Sequence, residues 1–192
     1  QSDNEQTMAD DHGEFDDWFE LLNTGPGAVD LAGYRVSDDS DLDTYHVLVG
    51  PLTVAAGERL ILWADGQADQ GPTHLAFRLS SDGETLSLIT PDGLTVADQV
   101  EYPRQFTDHV YQRYPDASAT WTWGRDPSPL AQNLTPHLDG FLVLNELMPR
   151  NETVIADAQD QFDPWLEIHN PLLDPVSVTG MTMEAVAGAV FD

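Results

Sequence analysis

The amino-acid sequence predicts an all-β sandwich, for three reasons. Apolar and polar residues alternate over short stretches such as 18–23, which is the pattern of a half-buried strand. Turn-forming triplets such as Pro91-Asp92-Gly93 separate these stretches at short intervals. No segment repeats its apolar residues with the 3.6-residue period of a helix. Short strands at this spacing are typical of two packed antiparallel sheets.

The strands are predicted in order along the chain. Residues 1–14 are polar and acidic and lack apolar periodicity, so we expect an extended lead-in. The apolar run 59–64 lies between Gly57 and Asp65, which predicts a strand that is covered on both faces. The other predicted strands alternate in polarity or follow a turn, and they lie at 18–23, 29–36, 45–48, 74–79, 85–90, 96–102, 111–114, 120–123 and 141–148.

A long internal repeat divides the chain. Residues 4–36 align without a gap with residues 151–183, so that Trp165 follows Trp18 by 147 positions. Eleven of these 33 aligned pairs are identical. A repeat of this length indicates two copies of one domain in series. We predict three parts, namely a first sandwich over 1–124, a proline-rich linker over 125–140 and a partial second sandwich over 141–192.

Charge is the extreme feature of the composition. The 192 residues include 34 Asp and Glu against 7 basic residues, all of them Arg, and the formal net charge is −27. Such a surface repels phosphate backbones, so we expect no binding to nucleic acid. It suits a salt-rich or calcium-containing medium, in which cations screen the self-repulsion. A generally acidic secreted protein would have the same composition.

The chain has no cysteine, which excludes disulfides and thiolate metal sites. No apolar run reaches the ~18 residues that a membrane span needs, so we expect no membrane insertion. The sequence opens on Gln1 and shows no signal peptide. We therefore expect a processed or partial chain.

Several segments resemble those of the lamin-tail domain and occur in the order typical of that family. Two of them are similar to its longest motifs: VDLAGYRVSDD at 29–39 resembles the D-L-S-G-W-x-L-S-D hairpin, and AAGERLILWADG at 55–66 resembles the I-x-A-G-x-Y-L-V-x-W-A-D strand. The shorter matches are NELM at 145–148, WFELLN at 18–23, GETL at 83–86, PDG at 91–93 and RYPD at 113–116. The resemblance covers residues 4–125 once and begins again at 141.

The resemblance implies an immunoglobulin-like β-sandwich, with the start of a second similar sandwich. Bacterial lamin-tail domains occur in secreted and surface proteins, often in tandem and beside catalytic domains, which implies an adhesive or organising role. We therefore expect a structural module that lies outside the cell or on its surface. Its expected partners are other copies of the chain or neighbouring domains of the same protein. The alternative is an accessory module that binds substrate or calcium for a larger secreted hydrolase.

Motifs for catalysis are missing from the sequence. It contains no Gly-x-Ser-x-Gly elbow, no phosphate-binding loop and no His-Glu-x-x-His pair. The six histidines are scattered singly, and acidic pairs are too frequent for their proximity to indicate a glycosidase dyad. Trp121 and Trp123 share a strand face, where core packing is favoured over a platform that stacks sugars. We predict that the chain is not an enzyme.

Calcium is the one candidate ligand, as a structural ion, and no other cofactor is predicted. Ca²⁺ takes about six to eight oxygen ligands, which carboxylates clustered on a loop supply. The first candidate loop places Asp39, Asp41 and Asp43 at alternate positions, but it lacks the glycine and the closing glutamate of an EF-hand.

The second candidate group precedes the Trp18 strand and has an echo in the second copy. Its members are Asp10, Asp11, Glu14, Asp16 and Asp17, echoed by Asp157, Asp160 and Asp163. Asp10 and Asp16 keep their identity in the repeat, as Asp157 and Asp163, which favours them as ligands. The competing interpretation is that Asp16 caps a turn and that the other carboxylates are solvated.

The two copies are incomplete in opposite ways. The second copy begins with the strand 141–148, whose equivalent in the first copy would precede Gln1. The second copy also stops before an equivalent of strand 59–64.

An unfinished sandwich exposes an apolar face and an open edge. Either the chain is a fragment of a longer tandem array, or subunits complete one another by donating this strand, which would build fibres. The residues expected to carry that contact are Phe141, Leu142, Val143, Leu144 and Leu147.

Overall fold

The computed structural model describes residues 1–40, 42–136 and 142–172, together with residues 176, 178 and 181. These residues form twelve strands and no helix, and every strand pair is antiparallel. The prediction of an all-β fold is therefore confirmed. None of these residues belongs to a helix of the length and apolar character that crossing a membrane requires. The chain divides into two units, residues 1–137 and 138–192.

Ten strands belong to the first unit. They are β1 Trp18–Leu22, β2 Val29–Asp30, β3 Arg35–Ser37, β4 His46–Val47, β5 Thr53–Val54, β6 Arg59–Trp63, β7 Gly83–Ile89, β8 Val96–Pro103, β9 Val110–Arg113 and β10 Trp121–Gly124. Four of them form one sheet in the order β4-β3-β7-β8, and the others pair as β1-β6, β2-β5 and β9-β10. In the second unit, β11 Val143–Met148 pairs with β12 Trp165–His169.

One apolar core lies between the β1-β6 pair and the four-stranded sheet. Phe19 and Leu21 of β1 and Leu62 of β6 pack in the same cluster as Val36 of β3 and Tyr102 of β8. Leu62 is completely buried, and Val36 is 1% exposed. Removal of this apolar surface from water, at roughly 25 cal/mol per Å², is the main force that holds the two layers together.

Strand β6 is covered on both of its faces, as the apolar run 59–64 predicts. Leu60 and Leu62 pack into the main core. Ile61 and Trp63 pack with Trp18 in a second cluster on the opposite face, since the β1-β6 pairing places Trp18 opposite Trp63.

The N-terminal segment is folded, which corrects the prediction of an extended lead-in over residues 1–14. Gln1, Asn4 and Asp10 are buried, and Met8 packs against the Trp18 cluster. Gln1 and Trp18 exchange two backbone hydrogen bonds, of 2.8 and 3.0 Å. Because polar side chains and backbone groups hold this segment, apolar periodicity gives no sign of it.

Residues 74–79 do not form the predicted strand. Two isolated bridges join this segment to its neighbours, Trp63 with His74 and Asp65 with Arg78. Leu75 is completely buried and Leu79 is 8% exposed, both in the main core. The apolar alternation therefore reflects burial without a continuous ladder of hydrogen bonds.

Residues 125–136, which the sequence assigns to a linker, lie against the first unit. The Asn133 N–H donates to the Asp116 carboxylate, and the Asn133 side-chain amide donates to the Arg113 carbonyl, both at 2.9 Å. The Leu130 N–H donates to the Glu20 carboxylate. This stretch therefore adds to the surface of the first sandwich.

The hairpin of the second unit has one apolar face. Leu144 lies opposite Ile168 and Leu147 opposite Leu166, with a bulge at Asn145 between the two pairs. Residues directly opposite each other on paired strands point to the same side. Leu144 is 74% exposed and Leu147 is 68% exposed, so this face is largely open.

Candidate functional site

A loop ahead of β1 is held by the side chain of Asn4. Its amide nitrogen donates to the carbonyls of Met8 (2.6 Å) and Asp16 (2.8 Å). Its amide oxygen accepts from the N–H of Thr7 (3.1 Å). One buried side chain thus closes the loop over residues 4–16.

The second copy repeats this loop ahead of β12. Asn151 donates to the carbonyls of Ile155 and Asp163 and accepts from the N–H of Val154. Asn151 stands at the repeat position of Asn4. The identity of this residue in the two copies therefore has a structural cause.

Asp10 closes the same loop through one of its two carboxylate oxygens. Its Oδ1 accepts from the N–H groups of His12 (2.9 Å) and Glu14 (2.8 Å). In the second copy, Oδ1 of Asp157 accepts from the N–H groups of Gln159 and Gln161, each at 2.8 Å. Loop closure therefore accounts for the repetition of this aspartate without a metal ion.

The second oxygen of Asp10 is not used in the loop. Asp10 is 9% exposed, and its Oδ2 is buried without a hydrogen-bond partner. Oδ2 of Asp16 is also buried without a partner. A buried carboxylate oxygen that accepts no hydrogen bond is destabilising unless another group compensates its charge.

The β1-β6 pairing brings this loop against residues that are distant in sequence. Trp18 pairs with Trp63, and the Ala64 N–H donates to the Asp17 carbonyl at 2.8 Å. The next step of the register sets Asp16 beside Asp65, which is 1% exposed.

His74 is buried between two carboxylates. Its Nδ1 is hydrogen-bonded to Oδ2 of Asp65, and its Nε2 to Oδ1 of Asp11 at 3.1 Å. Burial acts to lower the pKa of His74, but the hydrogen bonds to Asp65 and Asp11 outweigh it, and the pKa is raised. The hydrogen bond from His74 in turn lowers the pKa of Asp11. These directions favour an imidazolium flanked by two carboxylates.

Acidic oxygens converge on Asp10. Single ligand atoms of Asp10, Glu14 and Asp16 lie within 4.8 Å of one another, and the same holds for Asp10, Asp65 and His74. Burial raises the pKa of Asp16, and the charges of Asp65 and Glu14 raise it further. We call Asp10, Glu14, Asp16 and Asp65 the Asp10 cluster. It is an all-oxygen donor set of the kind that hard cations prefer.

A third group with ligand spacing combines Asp11, His12 and His74. Asp11 and His12 are exposed. Both ring nitrogens of His74 are engaged with carboxylates, so His74 offers this group no free lone pair.

The predicted calcium loop at 39–43 contributes to none of the groups with ligand spacing among the described residues. Asp39 accepts from the Thr44 hydroxyl at 3.0 Å, and Asp43 is exposed. Asp41 lies outside the described residues. Calcium coordination by this loop stays a prediction.

In the second copy, Asp157 and Asp163 are exposed. Gln161 stands where the first copy has Glu14. No group with ligand spacing in the described part of the chain includes Asp157 or Asp163. Of the predicted acidic residues, the structure brings Asp10, Glu14 and Asp16 together with ligand spacing.

Asp65 and His74 are the neighbours of Asp10 that sequence reasoning missed. Both lie about fifty residues or more beyond the loop in the chain, and neither belongs to a local motif. The register of the β1-β6 pair could have identified Asp65 from the sequence, because an antiparallel pair that matches Trp18 with Trp63 also matches Asp16 with Asp65.

A groove runs along the second edge of β1. Among the described strands, β1 is hydrogen-bonded to β6 alone. A cavity of about 660 Å³ lies beside it and is lined by Phe19 and Leu21 of β1 and by Tyr111 of β9. The core residue Val36 also lines this cavity, so the groove opens into the main core. Oε1 of Gln112, in the β9 wall, is buried without a hydrogen-bond partner.

The residues expected to carry self-association lie on or beside β11. Val143, Leu144 and Leu147 belong to β11 and are 46%, 74% and 68% exposed. Leu142 immediately precedes the strand, and Phe141 lies outside the described residues.

The tryptophans of β10 are used in packing. Trp121 stacks on Tyr111, with ring centroids 5.6 Å apart, and the Arg113 guanidinium lies 4.5 Å from its ring centroid. Trp123 is 4% exposed and packs against Phe106 at 5.1 Å. These contacts fix the β9 wall of the groove.

Comparison with curated proteins and with solved structures gave no match. A family model, described as Lamin Tail Domain, matches residues 3–104 of the 192. The match includes β1–β8 and the Asp10 cluster and does not extend to the second copy.

The antiparallel all-β architecture agrees with the immunoglobulin-like sandwich that the resemblance implies. Lamin-tail modules are generally non-catalytic, and no catalytic family matched. The chain belongs to the lamin tail domain family.

Proposed function

We propose that this chain is a non-catalytic structural module of a secreted or cell-surface protein, and that its subunits join by strand exchange. In this arrangement, β11 of one subunit lies in the groove between β1 and β9 of the next. The groove carries the proposal, because it combines a free strand edge with an opening to the apolar core. Addition of a strand to an exposed sheet edge is a common mode of protein recognition.

The size of the groove supports the need for an occupant. The groove is open to solvent and has a volume of about 660 Å³. Water that fills it leaves the apolar side chains of Phe19 and Leu21 hydrated, which costs roughly 25 cal/mol per Å² of apolar surface.

The repeat supplies a register for the added strand. In the second unit, Leu144 and Leu147 lie opposite residues of β12 that correspond to Leu21 and Phe19 of β1. A β11 strand donated in the same register would set Leu144 beside Leu21 and Leu147 beside Phe19. Both leucines would then point into the main core, in exchange for their present exposure to solvent.

Gln1 marks the end of that strand. Gln1 occupies the repeat position of Met148, the last residue of β11. It exchanges backbone hydrogen bonds with Trp18, at the place where Met148 pairs with Trp165 in the second unit. The edge of β1 therefore carries its first pair already. A donated strand in this register continues the same ladder up to Leu147, and Met148 of the donor has to leave it because Gln1 occupies that place.

The charge supports the proposed location. A net charge of −27 repels nucleic acid and anionic membrane surfaces, and cations outside the cell screen it. Other copies of the chain carry the same charge, so their association relies on the apolar strand and on this screening.

The first test replaces the exposed leucines of β11. The double variant Leu144→Asp, Leu147→Asp places charges on side chains that face solvent within the subunit, so the subunit keeps its fold. The control is Val154→Asp, Ile155→Asp, two residues of the second unit that are 63% and 55% exposed and lie outside β11. Light scattering over a concentration series should show assembly for the parent chain and the control, and a monomer for the β11 variant.

A parent chain that stays monomeric at every concentration would sink the proposal, as would a β11 variant that assembles like the parent. Assembly should also persist in a calcium chelator, because backbone pairing and apolar contacts join the subunits. Polymer that dissolves in chelator would place the acidic groups at the junction and contradict strand exchange.

The second test fills the groove from within the same chain. The full chain is extended at its N-terminus by the sequence of residues 142–147, so that the added strand ends directly before Gln1. We expect this extended chain to be monomeric and more stable than the parent. Its control carries Asp in place of both leucines of the extension that correspond to Leu144 and Leu147. An extended chain that assembles like the parent would contradict the proposed register.

A further inference from the structure

We propose that the Asp10 cluster binds one Ca²⁺ ion, with carboxylate oxygens of Asp10, Glu14, Asp16 and Asp65 as its ligands. The cluster lies entirely within the first unit. The proposal rests on the geometry of these residues and is independent of strand exchange.

The first observation is the unpartnered oxygen of Asp10. Its Oδ1 accepts two backbone N–H groups, which orients the carboxylate and leaves Oδ2 on the other side. Oδ2 is buried without a partner, on a residue that is 9% exposed. Asp10 is also the residue that the two groups with ligand spacing share. A cation at this point would coordinate Oδ2 of Asp10, which accepts no hydrogen bond within the loop.

The second observation is the excess of negative charge. Glu14 and Asp16 lie within ligand spacing of Asp10 in one group, and Asp65 lies within ligand spacing of Asp10 in another. Oδ2 of Asp16 is likewise buried without a partner. The neighbouring cationic groups are His74, which is held by Asp65 and Asp11, and Arg78, whose charge acts on Asp16. A divalent cation would compensate the remaining charge at short range.

The donor chemistry selects the class of metal. Carboxylate oxygens with room for water are the ligands of hard cations, and Ca²⁺ accepts irregular sets of about six to eight oxygens. Mg²⁺ needs near-octahedral geometry, and Zn²⁺ prefers nitrogen and sulfur donors. Since His74 has no free ring nitrogen, the geometry favours Ca²⁺ over Zn²⁺.

The bound ion would fasten the N-terminal loop to the end of β6. Asp10, Glu14 and Asp16 belong to the loop ahead of β1, whereas Asp65 follows Ala64 just beyond the end of β6. An ion shared by these residues crosslinks two segments that are separated by about fifty positions. Ca²⁺ should therefore stabilise the first unit by binding the folded state and not the unfolded one.

Calorimetric titration of the full chain with CaCl₂ is the direct test, with MgCl₂ and ZnCl₂ as parallel titrants. We expect one Ca²⁺ site with a Kd of about 10⁻⁶–10⁻³ M, the range of sensor and extracellular sites. The Tm should rise with CaCl₂ concentration and rise less with MgCl₂. Absence of binding heat and of any Tm shift at millimolar CaCl₂ would overturn the proposal. So would a site that Zn²⁺ fills in preference and that depends on His12.

The variant Asp10→Asn separates the metal from the loop. The amide oxygen of asparagine still accepts the N–H groups of His12 and Glu14, while its NH₂ group replaces Oδ2. We expect Ca²⁺ affinity to fall at least a hundredfold. The matched control is Asp157→Asn, the same substitution at the repeat position, where Ca²⁺ affinity should stay unchanged. Equal affinity in Asp10→Asn and the parent chain would overturn the proposal, and so would an equal loss in both variants.

Glu14→Gln provides a graded test if Asp10→Asn fails to fold. Glu14 is exposed, and the substitution reproduces Gln161 of the second copy. It should lower Ca²⁺ affinity by about three- to tenfold and leave the Tm in chelator within about 2 °C of the parent. An unchanged affinity in Glu14→Gln and in Asp16→Asn together would contradict the assigned ligand set.

Discussion

The two copies of the repeat share a loop and the strand that follows it, but the surroundings of that strand differ. Asn4 and Asn151 make the same hydrogen bonds, and Asp10 and Asp157 close their loops in the same way. In the first copy, the strand after the loop is buried against β6. In the second copy, the corresponding strand β12 pairs with β11 on a largely exposed apolar face.

This difference separates two causes of sequence identity between the copies. The identities at Asn4 and Asp10 follow from the hydrogen bonds of the loop, which need no partner outside it. The Asp10 cluster also needs Asp65, which lies just beyond β6 and belongs to the surroundings of the first copy alone among the described residues. Identity between the two copies therefore identifies the loop. The candidate metal site is identified by residues that are distant in the sequence and close in the structure.

The largest expected effect compares the two tryptophans of the repeated motif. Trp18 is 3% exposed and packs with Ile61 and Trp63, so Trp18→Ala should destabilise the first unit by about 3–5 kcal/mol. Trp165 is only partly buried, and Trp165→Ala should cost its unit roughly 1–2 kcal/mol. Hydrogen exchange read separately for each unit measures both. Equal losses would show that the surroundings of β1 and β12 are energetically alike.

A smaller effect should be the same in both copies. Asn4→Ala and Asn151→Ala each remove a side chain that makes at least three hydrogen bonds, which should cost roughly 1–3 kcal/mol of local stability. Exchange protection of residues 4–16 and 151–163 is the readout. Loss of protection in one loop only would indicate that the shared hydrogen bonds do not define the loop.

The smallest effect concerns Asp17, for which the second copy has Pro164. Burial raises the pKa of Asp17 from 3.8 to about 6. The folded state therefore binds this proton more tightly than the unfolded state does, and stability falls as pH rises from about 4 through about 6. Asp17→Asn should remove this pH-dependent loss of stability. It should raise the free energy of unfolding at pH 7 by less than about 1 kcal/mol.

Denaturant titrations between pH 4 and pH 8, with chelator present, measure the difference between Asp17→Asn and the parent chain. Asp82→Asn, at an exposed turn position, is the control for a general change in charge. A difference that does not vary with pH would contradict the raised pKa.

Local patterns of the sequence predict the strands well and the polar parts of the fold poorly. The run 59–64 reads as a strand buried on both faces because its periodicity reports burial directly. Residues 1–14 read as an extended lead-in because Asn4 and Asp10 hold them through polar contacts. Residues 74–79 alternate like a strand, yet their alternation places Leu75 and Leu79 in the core without a ladder.

The candidate site is only half visible in the sequence for the same reason. Asp10 and Asp16 stand out because the repeat preserves them, whereas the repeat covers residues 4–36 and does not reach Asp65 or His74. Asp65 and His74 enter the site through the β1-β6 register, which is a long-range property. The β1-β6 register, once fixed, identifies Asp65, whereas the bridge that brings His74 to Trp63 is visible only in the structure.

The groove along β1 also bears on how a fibre of these subunits would respond to force. A donated strand seated between β1 and β9 would be pulled along its own length when the fibre is stretched. The hydrogen bonds on both sides would then carry the load together in shear, instead of opening one after another from an end. Strand exchange in this groove would thus give junctions that resist tension more strongly than their equilibrium stability alone indicates.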